Sequence, residues 1–174
     1  MKNKLNILLL ALISAMITGA ACTRKLSVQS GLIPNSSKTG FEIKSGDSVS
    51  IRDVNKKVLR SFYDTYGEMR GTSWFRSANG FTVSFKNYGM LNTIFYKENG
   101  VVETEIHSYS ADKLPQRVQQ FVQARFYDYT INHVTEVHKN EATAYYVQIE
   151  DASNIKTLKV VEDEFEIVET LVKR

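Results

Sequence analysis

The sequence predicts an α+β fold made of two tandem units, each one helix followed by an antiparallel sheet of about four strands. Three observations carry this. Two amphipathic stripes, Val54, Val58, Phe62, Tyr66 and Leu114, Val118, Val122, Phe126, recur at the four-residue spacing of a helix face. Each stripe is followed by short segments of period-two alternation separated by turn residues. The two stretches also keep a common hydrophobic register. The helix stripes match at an offset of 60 residues, and Phe81, Val83 and Phe85 match Tyr145, Val147 and Ile149 at an offset of 64.

Taken in order, the chain begins with Lys2 and Lys4, an apolar run from Ile7 to Ile17, and the small residues Gly19, Ala20 and Ala21. This is the layout of a secretory signal peptide over residues 1–21, and the run is too short to span a membrane, which takes roughly 20 apolar residues. The next residue, Cys22, is the only cysteine of the 174 residues. Gly19-Ala20-Ala21-Cys22 resembles a bacterial lipobox, whose thiol is acylated and becomes the new amino terminus; Gly19 departs from the aliphatic residue usual there. Arg24 and Lys25 follow and suit an anionic lipid surface. Residues 22–50 read as a polar linker broken by Gly31, Pro34, Gly40 and Gly46, with Phe41, Ile43, Val49 and Ile51 spaced as a stray edge strand.

The first unit, residues 51–110, opens on the helix ending near Gly67, with Asp53 placed to cap it. Strands are expected at Ser73–Arg76, at Phe81–Phe85 after the Asn79-Gly80 turn, at Asn92–Lys97, and at Val101–Ile106 after Asn99-Gly100. The second unit, residues 111–174, starts with Pro115 in the first helical turn, where its missing N–H costs nothing. Strands are expected at Ile131–His138, around Tyr145–Ile149, at Lys156–Val161 and at Phe165–Leu171. A unit of about 55 residues is marginal alone, so pairing of the two sheets would complete the core.

The helix start Leu114-Pro115-x-x-Val118, the Tyr145-Tyr146-Val147 strand, Trp74, Gly80-Phe81-x-Val83-x-Phe85 and the Lys97-Glu98-Asn99-Gly100 turn resemble the PepSY-like, β-lactamase-inhibitor-like (BLIP-like) domains of exported bacterial proteins. The Tyr-Pro-Gly that often closes the helix there is Tyr66-Gly67-Glu68 in one unit and Phe126-Tyr127-Asp128 in the other. The resemblance implies tandem helix-plus-sheet units in a periplasmic or surface protein. The relative that gives the family its name inhibits an enzyme by gripping it with its concave sheet. No inhibitory residue carries over to this chain.

Chemistry is sparse. A single cysteine excludes an intrachain disulfide framework, a Cys-based zinc cluster and an Fe–S site. Without residues 1–21 the net charge falls from +3 to +1, which lacks the basic footprint of a nucleic-acid binder. His133 and His138 would point to opposite faces of one strand, while Glu105 and His107 form a thin two-residue pair. Ser108 and Ser110 near His107 supply no ordered triad, and no phosphate-cradling glycine loop occurs. Glu162, Asp163, Glu164, Glu166 and Glu169 make an acidic last hairpin without the spacing of an EF-hand. No catalytic residue, cofactor or metal site is therefore expected.

The aromatic residues outnumber the inward strand positions, and Trp and Tyr are the residues that anchor protein interfaces. The expected function is a non-enzymatic exported binding module that engages a protein partner through its sheet face. Trp74, Tyr88, Tyr96 and Tyr146 are the expected partner-binding residues. The alternative is a periplasmic carrier enclosing a small ligand in an apolar pocket. Acylation of Cys22 would tether the module to a membrane. Cys22→Ala should then move the protein from the membrane to the soluble fraction with its folded part intact, since Arg24 and Lys25 contribute only about 1 kcal/mol each. Unchanged fractionation would reject the lipid anchor.

Overall fold

The computed structural model describes residues 46–174. The expected signal peptide, Cys22, Arg24, Lys25, Phe41 and Ile43 lie outside the described residues. A three-residue strand, β1 (Asp47–Val49), leads through a short 3-10 turn to helix α1 (Lys56–Tyr66). Strands β2 (Ser73–Ser77), β3 (Gly80–Asn87), β4 (Met90–Lys97) and β5 (Val102–Tyr109) follow. Helix α2 (Gln116–Gln123) comes next, then β6 (Thr130–Lys139), β7 (Ala142–Glu150), β8 (Asn154–Val161) and β9 (Glu164–Val172).

All nine strands form one antiparallel sheet in sequential order. This overturns the expectation of two tandem helix-plus-four-strand units: no sheet boundary falls near residue 110, and among the described residues two short helices accompany one large sheet. The physical reason is the edge of β5. Its outer N–H and C=O groups must be paired or exposed, and β6 pairs them residue for residue from Thr104 opposite Lys139 to Tyr109 opposite Val134. Both helices then pack on the same side of a continuous surface. A second 3-10 turn (Ala111–Lys113) and α2 connect β5 to β6, as the first 3-10 turn and α1 connect β1 to β2, while the remaining connections are short turns.

Local chemistry explains most element boundaries. Asn55, not Asp53, caps α1, accepting from the Lys57 N–H at 2.8 Å, because Asp53 is taken up in the preceding 3-10 turn. The helix stops at Gly67, whose φ of 68° ends it and whose N–H reaches the Tyr63 carbonyl. Asn79-Gly80 joins β2 and β3, and Gly80 is required by close approach: a Cβ there would lie 1.9 Å from the Tyr96 carbonyl oxygen. Pro115 occupies the position just before α2. Of the residues expected to form an edge strand, Val49 lies in β1, opposite Trp74 of β2, whereas Ile51 opens the 3-10 turn.

The register carries one face to both helices. Phe85, Asn92, His107, Glu136 and Tyr145 stand in a single cross-strand row. At one end of this face Val54, Val58 and Phe62 pack on Trp74, Phe81, Val83, Phe85, Ile94 and Tyr96. At the other, Leu114, Val118 and Val122 pack on Val134, Val147, Leu158 and Val160. Phe62 is the hub of the first cluster, with its ring edge-on to Trp74 at 5.3 Å and to Phe85 at 5.4 Å. Phe62→Ala should cost roughly 3–5 kcal/mol, a large part of a stability of about 5–15 kcal/mol. Urea denaturation would show this as a lower midpoint at constant slope. An unchanged midpoint would remove Phe62 from the core.

Candidate functional site

The opposite face of the sheet carries no helix among the described residues. Three cross-strand rows define it. Phe75, Thr82, Phe95 and Thr104 run across β2 to β5 and end at Lys139 on β6. Ser73, Ser84, Thr93, Ile106, Val137 and Ala144 make the middle row. Leu91, Ser108, Thr135 and Tyr146 form the third, between Lys86 on β3 and Lys159 on β8. A solvated face of an antiparallel sheet normally alternates in charged and polar side chains. Here small hydroxyl residues lie buried between larger neighbours, while Phe75, Leu91, Phe95, Val137 and Tyr146 are half-buried. Ser84 and Thr93 hydrogen-bond each other at 3.1 Å, whereas the Thr82 hydroxyl is buried without a partner. The result is an uncharged apolar and hydroxyl field with lysines at its margins.

Strand parity sorts the expected binding residues. Tyr146 stands on this face, in the third row. Trp74 and Tyr96 do not: they are 3% and 2% exposed, on the helix side, in the cluster around Phe62. That corrects their assignment as contact residues, because Trp74 pairs with Val83 and Tyr96 with Phe81, both inward positions. Trp74→Ala is thus a core truncation. Tyr88 is 88% exposed with φ 46° in the turn between β3 and β4, off the sheet face. Phe75 and Phe95, neighbours in sequence of Trp74 and Tyr96, are face residues that belong to the surplus of aromatics but were not among the expected partner-binding residues. Only the register of β2 against β3 and of β3 against β4 tells the members of each pair apart.

Between the two apolar clusters the helix-side face turns polar. Glu105 on β5 lies opposite His138 on β6, and His107 lies opposite Glu136. His107 Nε2 is 3.4 Å from Glu105 Oε2, and His138 Nε2 is 2.8 Å from Glu136 Oε1. The two imidazole rings sit edge-to-face with centroids 5.4 Å apart. The Asn92 amide donates to the Met90 carbonyl at 3.3 Å, which leaves its Oδ1 to accept from His107 Nδ1 at 2.8 Å. His138 Nδ1 meets the Thr143 hydroxyl at 2.9 Å. Tyr109 donates to Glu136, and the Glu105 carboxylate neighbours the Tyr66 phenol of α1. Each carboxylate thus has an imidazole partner and at least one phenol beside it.

This lattice joins the sheet halves and ties α1 to β5. The pair Glu105 and His107 was legible in the sequence, but its repetition as Glu136 and His138 was not recognised; Glu-x-His occurring on two expected strands was the available signal. The donors are engaged with one another, and among the described residues no group of three or more His, Cys, Asp or Glu side chains is arranged to hold a metal ion. His133, across from Gln148, is on the other face and exposed. In the acidic hairpin Asp163 pairs with Arg117 at 2.7 Å, and Glu164, Glu166 and Glu169 sit on β9, the last strand of the sheet, where charge discourages edge-to-edge pairing.

Similar folds occur among solved structures. A DUF2874 family protein from Bacteroides uniformis superposes with a TM-score of 0.52 at 14% identity, over 67% of this chain and 88% of that one. A provisionally periplasmic protein from Bacteroides eggerthii gives 0.53 at 14% identity, over 68% and 88%. A BLIP-like protein from Bacteroides fragilis gives 0.53 at 10% identity, over 68% and 86%. The chain therefore has a BLIP-like fold. No protein-family model matches the sequence, and no curated protein does.

Burial and the neighbouring Glu105 carboxylate push the Tyr66 phenol from 10.0 to about 12. Burial likewise raises Tyr109, helped by its bond to Glu136, and raises Tyr96. Above pH 10 the unfolded chain loses phenolic protons that the folded protein keeps, so this contribution to stability is complete below pH 10 and falls as pH rises towards 12. Absorbance titration should show these phenols un-ionised until the protein unfolds. Full tyrosinate absorbance at pH 10.5 in protein still folded by circular dichroism would contradict the lattice.

Proposed function

We propose that this chain is an exported, non-enzymatic module, tethered through an acylated Cys22, that holds a protein partner on the helix-free face of its sheet. The observation that carries the reading is the uncharged field of three rows across β2 to β7, with half-buried Phe75, Leu91, Phe95, Val137 and Tyr146 and no covering layer among the described residues. Aromatic and aliphatic side chains held by rigid strands are pre-organised for contact, so little side-chain entropy is lost on binding. The BLIP-like fold supports protein binding by such a face, and the solved neighbour placed provisionally in the periplasm supports export. The PepSY-like relation of the sequence belongs to the same reading.

Enclosure of a small ligand has less support. The depressions beside β2 and α1 are open to solvent, about 260 and 380 Å³ in volume, and lined by mixed groups such as Arg70, Glu68 and Lys86 rather than by apolar walls. A protein surface fits the extended field better.

A photo-crosslinking phenylalanine analogue placed at Phe95 should, on irradiation in the native cell, yield one discrete protein adduct. The same analogue at Tyr127, which is 83% exposed beyond the end of α2, should yield none. Equal adducts from both positions, or an adduct from Tyr127 alone, would count against the sheet face.

A further inference from the structure

The distribution of charge around the field points to the chemistry of its partner. Within the three rows from β2 to β7 the paired positions are apolar, hydroxyl or alanine, and the only charged residues are lysines: Lys86 where the third row begins and Lys139 where the first row reaches β6. Continuing the third row, Lys159 follows on β8. Carboxylates on this face stand outside the three rows: Glu150 at the end of β7, which pairs with Lys173, and on β9 Glu166 opposite Lys159 and Glu169 opposite Thr157. Lys86 and Lys139 are exposed, and neither is within ion-pair distance of a carboxylate among the described residues. Three strand spacings separate β3 from β6, so these two cations flank the field at about 14 Å across the strands.

An uncharged floor with cations at its margins is complementary to one kind of surface. Resting on the reading of this face as a protein-binding site, we infer that it accepts a protein loop or strand whose apolar, hydrogen-bonding tip is flanked by carboxylates. The tip covers the half-buried side chains of the field, Phe75, Leu91, Phe95, Val137 and Tyr146, while the buried threonines beneath them hold these side chains in place. The flanking carboxylates meet Lys86 and Lys139 at the exposed rim. There they contribute more to encounter rate and to choice of partner than to affinity, because rim charges stay solvated and screened. A second copy of this chain is a poor occupant: its own field would set lysine margins against lysine margins.

The test is selection of random peptides displayed on phage against the full chain, with counter-selection against Phe95→Lys to isolate binders of this face. The inference predicts that Phe95-dependent peptides carry an apolar or aromatic centre with Asp or Glu on both sides. Lys86→Glu/Lys139→Glu should slow their association at low salt by about tenfold or more and make little difference at high salt. Phe95-dependent peptides with neutral or basic flanks, or association rates unaffected by the double charge reversal, would overturn the inference while leaving the sheet face as the binding site. Failure to obtain any Phe95-dependent peptide would count against the face itself. Circular dichroism and melting temperature of each variant, compared with the parent chain, exclude misfolding as the cause of lost binding.

Discussion

Six consecutive residue pairs, from Thr104 opposite Lys139 to Tyr109 opposite Val134, join β5 to β6 and turn two strand meanders into one sheet. Everything else in the molecule depends on that joint. It leaves β1 and β9 as the outermost strands. It places both helices on one side, because the face that receives Phe62 is continuous with the face that receives Val122. It also brings Glu105, His107, Glu136 and His138 together at the centre of the sheet. Where a hydrophobic core would otherwise be interrupted between the helices, hydrogen bonds with Tyr109, Asn92 and Thr143 satisfy Glu136, His107 and His138.

The two faces divide the work. The helix side holds the large buried side chains and supplies stability through apolar burial. The other side keeps threonines and serines in its middle, with larger residues around them. Because alternate residues of the same strands serve the two faces, His107 belongs to the joint while its neighbours Ile106 and Ser108 belong to the field. The field is thus no more flexible than the joint that lies beneath it.

The sequence revealed the position of nearly every element, because helix stripes and strand alternation are local patterns and the Asn-Gly turns mark where they stop. It did not reveal how the strands associate sideways. Val102–Tyr109 and Thr130–Lys139 alternate in the same way whether they are the edges of two sheets or the centre of one, and the backbone pairing that decides between these leaves no mark in hydrophobic periodicity. The same limit governs the site. Phe75 and Trp74, or Phe95 and Tyr96, are adjacent aromatics of similar character, and only register tells which of each pair is buried. Tyr146 was placed on the outer face because the neighbouring Tyr145, Val147 and Ile149 formed an unambiguous inward set. Glu136 and His138 gained their meaning only when β6 was set beside β5.

The account stands on the claim that β5 and β6 lie at the centre of a single cooperative sheet. Native-state amide hydrogen exchange read residue by residue tests it most directly. The account predicts that the amides of Thr104–Tyr109 and Val134–Lys139 that bond across the joint exchange only through global unfolding, with the same free energy as the inner strands β3 and β7. Exchange of either strand at a markedly lower free energy, or separate unfolding of the segments before and after residue 110, would show that the joint is a contact between two independent sheets and would contradict the account.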